Sequence, residues 1–274
     1  MRLSRVKERW GQGKPAFCTT ITFMDPCVAE LVSLMGIDCI WLDMEHHVTS
    51  VETACQIMRA IRLGVSDVMA RPGKGEFMRM GRMLEAGAQG ILYPRCDNET
   101  EAREVVRWAK FAPLGERGFD GGNPDSPYGS MSMAEYVKMA NEQTFLLIQI
   151  ESPAAVPHAR AIAEVEGVDV VFFGPGDFSV LSGVPGDFEN PIVQNALKTV
   201  CKETLAAGKR FGTLVFSADQ AKRVLDMGGT FICYGADLPL LKQAYVNMRS
   251  VFSELGFIFE DRLSSQQSSY GVAR

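Results

Sequence analysis

Short apolar runs alternate along the chain with longer stretches in which apolar positions recur every three or four residues. The runs at 16–21, 39–42, 67–70, 90–93, 145–150, 169–173, 210–215 and 230–234 read as strands. Most are apolar at every position instead of every second one, the pattern of strands covered on both faces of a parallel sheet. The stretches between them carry helix-end signals. Asp25-Pro26 opens one helix and Gly36 closes it, an N-cap, first-turn proline and terminal glycine. Thr49-Ser-Val-Glu52 and Ser217-Ala-Asp-Gln220 read as capping boxes, and Asp97-Asn98 opens a helix whose buried face is Ala102, Val105, Val106 and Ala109. Eight strand–helix units predict an α/β fold of the (β/α)8 TIM barrel type. An open doubly wound sheet would place a glycine-rich turn after its first strand, and here the chain continues Thr19-Thr-Ile-Thr-Phe-Met-Asp25 with no glycine.

Two segments depart from the alternation. Residues 111–130 are rich in Gly, Pro and Asp and too long for an ordinary connection, so an ordered functional loop, a subunit contact or a lid is expected there. Residues 261–274 are polar and aperiodic, and disorder is expected. The expected organisation is one barrel domain over residues 1–260 followed by that tail. At 274 residues the length suits a single barrel.

Composition narrows the class. A net charge of −5 leaves no footprint for nucleic acid or an anionic membrane, and no apolar run is long enough to span a bilayer. Seven scattered cysteines, never in a C-x-x-C pair, argue against a disulfide framework or zinc ribbon and for a reducing cytoplasm.

The polar residues that follow the strands carry the chemistry. In a barrel the C-terminal strand ends converge on one mouth. The second strand runs into Asp43-Met-Glu45-His46-His47, the third into Arg71-Pro72, the fifth into Gln149-Ile-Glu151, and the sixth into Gly174-Pro-Gly176-Asp177. Strand ends meet water, which accounts for one or two polar residues. It accounts poorly for an arginine, two histidines and four carboxylates following apolar strands, where desolvation is costly unless charges pair or hold a metal. Glu151 and Asp177 supply hard oxygen ligands suited to Mg²⁺ or Mn²⁺, with Co²⁺ as a substitute; a glycosidase acid/base pair is the alternative. His46 and Asp43 could form a proton-transfer dyad, Arg71 matches a carboxylate or enolate oxygen, and Gly174 and Gly176 let the backbone approach a ligand closely, with Gly176 and Asp177 N–H groups as donors. His47 is expected to point away from the mouth. No strand carries a lysine in its interior or at its C-terminal end, and Lys74 lies beyond the third, which disfavours Schiff-base chemistry.

Taken together, Trp41-Leu-Asp43-Met-Glu45-His46, Ala70-Arg71-Pro72, Gln149-Ile-Glu151, Phe173-Gly-Pro-Gly-Asp177 and Ala112-Pro-Leu-Gly-Glu-Arg117-Gly118 resemble the HpcH/HpaI aldolase family, from about residue 10 to 255. That family comprises metal-dependent class II pyruvate aldolases of the phosphoenolpyruvate/pyruvate barrel superfamily, including those acting on 4-hydroxy-2-oxo-heptane-1,7-dioate and 2-dehydro-3-deoxyglucarate. The resemblance implies that Glu151 and Asp177 bind the metal, that Arg71 contacts pyruvate with Gln149 beside it, and that His46, supported by Asp43, handles protons. It also implies a homohexamer, a trimer of dimers in which the last helix is exchanged between subunits. The family commonly has an aspartate near the catalytic histidine of a neighbouring subunit, and Glu85 occupies that position here. The expected reaction is reversible cleavage of a 4-hydroxy-2-oxo acid to pyruvate and an aldehyde. The aldehyde would be chosen by side chains around 214–217 and 119–130. A citramalyl- or malyl-type lyase acting on CoA thioesters is an alternative, needing a basic channel where the rim offers Arg71, Arg95 and Arg117. A catalytically silent metal-binding barrel is the other. The last helix carries a broad stripe of Leu238, Leu241, Ala244, Tyr245, Met248, Val251 and Phe252, wider than one face against a barrel requires.

Overall fold

The computed structural model describes residues 1–263. Eight parallel strands close a barrel in chain order, β1 (Ala16–Ile21), β2 (Cys39–Asp43), β3 (Asp67–Arg71), β4 (Gly90–Tyr93), β5 (Phe145–Ile150), β6 (Val170–Phe173), β7 (Arg210–Val215) and β8 (Phe231–Ala236). Each expected run became a strand, displaced by at most two residues at an end. The extensions at β2 and β3 matter, because they make Asp43 and Arg71 the last residues of their strands, directly opposite one another in the ladder. The polar tail expected from 261 lies, from residue 264, outside the described residues.

Side chains alternate across the barrel wall. Trp41, Met69, Leu147, Phe172 and Phe231 fill the interior, while Ile40, Val68, Ile148, Val171 and Phe211 pack outward against the helices. Asp25 caps the helix Pro26–Leu34, Asn98 caps Glu99–Ala109, and Ser217 caps Ala218–Asp226, as expected. The helix Val51–Ile61 is capped by Ser50, not Thr49: the Ser50 hydroxyl accepts from Thr53 N, one residue later than the capping-box reading. In the last of these helices Gln220 reaches back to Phe216 N instead of the cap residue's own N–H.

Two features of the barrel ends position the rest. The helix Arg5–Gly11, not foreseen, closes the floor, the end opposite the mouth: Val6 and Trp10 join the interior cluster, and Trp10 meets Phe145 and Phe231 edge-on at 5.9 and 6.3 Å. The segment 111–130 also lies at the floor, since it follows a helix that descends from the mouth. Arg62, at the foot of Val51–Ile61, donates to Pro124 O (3.1 Å), and Lys110 donates to Thr144 O just before β5 begins (2.5 Å). The segment is held by Arg117, whose guanidinium lies 4.6 Å over Phe111 and bonds Tyr136 Oη, which in turn donates to Asp125. This corrects the expectation that residues 119–130 and Arg117 belong to the rim of their own barrel.

At the other extreme is the helix Asp237–Ser253, which has no buried residue. The outer face of β8–β1 that an eighth helix normally covers is partly bare, with Phe17 and Tyr234 38% and 37% exposed. No helix of the described residues is long and apolar enough to cross a membrane.

Candidate active site

Strand register brings Asp43 and Arg71 together. Arg71 Nε and Nη2 donate to the two Asp43 oxygens at 2.9 and 2.5 Å, a bidentate pair in which both side chains are nearly buried. The guanidinium lies 4.5 Å over the Trp41 ring. Burial alone would raise the Asp43 carboxyl, but hydrogen bonding and charge from Arg71 outweigh it and hold the group below the usual carboxylate range. The same partners keep Arg71 above its ordinary value against its own desolvation.

This pairing corrects one expectation. Asp43 does not face the His46 ring; it accepts from the His46 backbone N–H (3.4 Å) and from Glu45 N (3.0 Å), an Asx-type turn that shapes the loop. The ring of His46, more than half exposed at the mouth, has Glu45 as its carboxylate neighbour, Oε2 lying 3.7 Å from Nε2. Glu45 Oε2 is buried without a hydrogen bond and sits 3.3 Å from Arg71 Nε. Burial pushes the Glu45 carboxyl up, Arg71 and His46 oppose it, and Asp43 and Asp177 add to it. Sequence reasoning places Glu45 at the rim but gives it no role, because its approach to both His46 and Arg71 depends on the fold of the loop. His47 is half-buried, with Nδ1 buried and unpartnered.

Across the mouth, Glu151 follows β5 and is 2% exposed. Its Oε1 accepts from Arg95 N (2.8 Å) and its Oε2 from Gln149 Nε2 (2.6 Å). Burial, and then the charge of Asp177, push it up to about 8, against the pull of Arg71. The Gln149 amide oxygen is buried and unpartnered. Gly174 is required here: a Cβ would stand 2.5 Å from Gln149 Nε2 and 2.6 Å from Glu151 Oε2. Pro175 opens the helix Pro175–Leu181, whose first turn holds Gly176 and Asp177 with N–H groups unused by the helix itself.

The structure thus brings Asp43, Glu45, His46, Arg71, Gln149, Glu151, Gly174 and Asp177 to one rim. It does not bring Glu85 there. Glu85 is in the last turn of Phe77–Ala86, at the floor, where its charged neighbours are Arg117, Asp120, Arg82 and Asp125. On the β6–β7 side the mouth is walled by Phe188 stacked on Phe216 at 4.1 Å.

Residues 21–244 match the family model described as HpcH/HpaI aldolase/citrate lyase. Among curated proteins, a hydroxypyruvate/pyruvate aldolase of Delftia acidovorans is 35% identical over 85% of this chain and 86% of its own length. A 4-hydroxy-2-oxo-heptane-1,7-dioate aldolase of Shigella sonnei is 33% identical, covering 85% and 88%. Among solved structures, an HpcH/HpaI aldolase from Desulfitobacterium hafniense superposes with a TM-score of 0.86 at 26% identity, over 91% of this chain and 96% of that one. By barrel, by rim and by sequence, this chain belongs to the HpcH/HpaI aldolase/citrate lyase family.

Proposed function

We propose that the chain reversibly cleaves a 4-hydroxy-2-oxo acid to pyruvate and an aldehyde, with a divalent cation, Mg²⁺ or Mn²⁺, as cofactor. The observation that carries this reading is a buried Glu151 in the field of Asp177, facing across one mouth an Arg71 guanidinium already oriented by Asp43. A buried Glu151 whose ionisation is opposed by burial and by the charge of Asp177, beside an unpartnered Gln149 oxygen and a glycine that keeps the space open, fits a hard cation. Glu151 and Asp177 would hold the ion and leave its other positions to water and substrate; among the described residues no group of three His, Cys, Asp or Glu side chains encloses one point. When bound, such an ion supplies Lewis acidity toward negative charge growing on the pyruvyl oxygens.

The protein's own groups do the rest. Asp43 occupies Arg71 Nε and Nη2, which leaves Nη1 to meet a substrate oxygen; preorganised charge of this kind is worth roughly 10²–10³ in rate. His46 takes the proton of the C4 hydroxyl as the C3–C4 bond breaks, the bond's electron pair passing to the pyruvate enolate; the enolate then gains a proton from water at C3, and His46 gives its proton back to water. Glu45 Oε2 lies 3.7 Å from the ring's Nε2 and is the carboxylate beside it. A CoA-thioester lyase finds less support, since Arg117 is at the floor and Lys74 is paired with Asp97.

Assembly belongs to the same reading. The bare outer face of β8–β1 and the wholly unburied helix Asp237–Ser253 complement each other, which supports exchange of that helix between copies of a cytoplasmic homo-oligomer, a hexamer by family resemblance. Glu85, remote from its own His46, would then act only at a neighbour's mouth.

The test is deuterium exchange at pyruvate C3, followed by NMR, with aldol cleavage assayed in parallel and hydroxypyruvate as a second donor. Chelation should abolish both, and Mg²⁺, Mn²⁺ or Co²⁺ should restore them. Full activity in excess EDTA, or trapping of pyruvate on the protein by borohydride, would overturn the proposal.

A further inference from the structure

Beside the rim is an arginine in a backbone conformation that side chains avoid. Arg95, two residues past β4, has φ +51°, in the left-handed region where Cβ crowds the following carbonyl. Such outliers persist only when their surroundings over-determine them. Both flanking peptide groups are indeed fastened. The Arg95 N–H donates to Glu151 Oε1 at 2.8 Å, and the Arg95 carbonyl accepts from Lys74 Nζ at 2.7 Å.

Lys74 comes from the neighbouring β3 loop and is itself gripped. Its ammonium is 2.6 Å from Asp97 Oδ2 and 3.3 Å from Glu101 Oε2. Glu101 also accepts from Tyr93 Oη (2.7 Å) and Asp97 N (2.9 Å), and Tyr93 Oη accepts from Gly75 N (3.0 Å). The network therefore ties the end of β4 and the loops after β3 and β4 into one clamp, with the strained peptide at its centre.

Glu151 needs such help. The torsion that turns a glutamate carboxylate is broad and roughly two-fold, so the side chain alone does not set the plane of its oxygens. Gln149 fixes one oxygen, and the Arg95 N–H fixes the other. If Arg95 relaxed to a right-handed conformation, its N–H would swing away and the carboxylate would be free to rotate.

We propose that Lys74 is a positioning residue: by fastening the Arg95 carbonyl it holds that peptide in the left-handed conformation whose N–H orients Glu151, and so sets how tightly the carboxylate pair takes a divalent cation. The inference rests on the cation reading above. It assigns a task to an amine that lies outside the barrel and has no Schiff-base role.

The experiment uses the full chain without substrate. Mn²⁺ binding is titrated calorimetrically for the wild type, Lys74→Met, Lys74→Arg and, as a reference, Glu151→Gln, while hydrogen exchange at the Arg95 amide and Tm are recorded. Lys74→Met should weaken Mn²⁺ binding about tenfold, in the range usual for groups that orient metal ligands, and should speed exchange at Arg95. Lys74→Arg, which can still donate to both the carbonyl and Asp97, should recover most of the affinity. A role limited to surface pairing would shift Tm and leave Mn²⁺ affinity and Arg95 exchange as they are, and that result overturns the proposal. If Lys74→Met does not fold, Asp97→Asn, which loosens the ammonium without removing it, should show the same changes in smaller degree, and its failure to do so counts against the clamp. Wild-type Mn²⁺ affinity in Glu151→Gln would defeat the cation reading instead; exchange at Arg95 in the Lys74 variants then decides whether the clamp exists.

Discussion

Glu151 must be an anion to bind a cation, in surroundings that favour its acid form. With its carboxyl raised to about 8, first by burial and then by Asp177, it holds a proton through the neutral range. A cation must displace that proton, so affinity falls as pH falls. The Kd for Mn²⁺, measured calorimetrically at constant ionic strength, should therefore tighten about tenfold per pH unit from pH 6 to 8 and then level off. A flat profile would show that Glu151 is already ionised without the ion. The two histidines separate more sharply. His46→Ala should lower kcat for cleavage by at least ~10², the low end for acid–base catalysis, and His47→Ala by much less. Equal losses in steady-state assays would mean that the proton carrier is misassigned or that both rings shape the mouth. The residues of this site were legible in the sequence because they directly follow apolar strands. Their pairing was not: Asp43 lies three residues from His46 along the chain, yet the strand ladder sets it opposite Arg71, whose guanidinium fork takes both of its oxygens.

The element that sequence patterning missed is the floor helix Arg5–Gly11. Its signals were short, a Ser4 cap and the i, i+4 pair Val6 and Trp10, too few for a periodic stripe. It gains its stability from the barrel. Asp67 Oδ2 accepts from Ser4 Oγ (2.6 Å) and Val6 N (2.9 Å), and Trp10 Nε1 donates to Thr230 O (3.2 Å). Trp10→Ala should cost about 3 kcal/mol in urea denaturation, the low end for an aromatic removed from a core, with kcat unchanged because the mouth is at the other end. A parallel loss of kcat would show that the floor and the mouth are coupled. The segment 111–130 stands out in the sequence, but only its part 119–130 was tied to the mouth, and the structure puts it at the floor. Its position after a helix already assigns it to the floor, and counting connections would have found this.

Across the whole molecule, a seventeen-residue helix without a buried residue and a partly bare strand face are the features that the proposed exchange between copies would cover. Leu238, Leu241, Tyr245, Met248, Val251 and Phe252 are all more than 40% exposed, an apolar surface of the kind that marks an interface. Asp237 should be kept in any truncation, because its carboxylate pins Thr22 N (2.7 Å) and Phe23 N (2.9 Å). Removing residues 239–274 should convert the oligomer to smaller species in multi-angle light scattering and lower turnover with it. A truncated chain that stays oligomeric with normal turnover would remove helix exchange from the account.

By itself the sequence determined the eight strands, most of the helix starts and the cast of the rim, since period, caps and polar strand ends are local properties that nearby residues settle. Tertiary structure decided what depends on distance through space. Strand register made Asp43 the bidentate partner of Arg71, with Glu45 beside the same guanidinium, and the meeting of the β3, β4 and β5 loops made a strained Arg95 peptide into a donor for Glu151. The path of the last helix away from its own barrel was equally out of reach, because a wide apolar stripe states that a partner surface exists and leaves to the folded chain which surface that is.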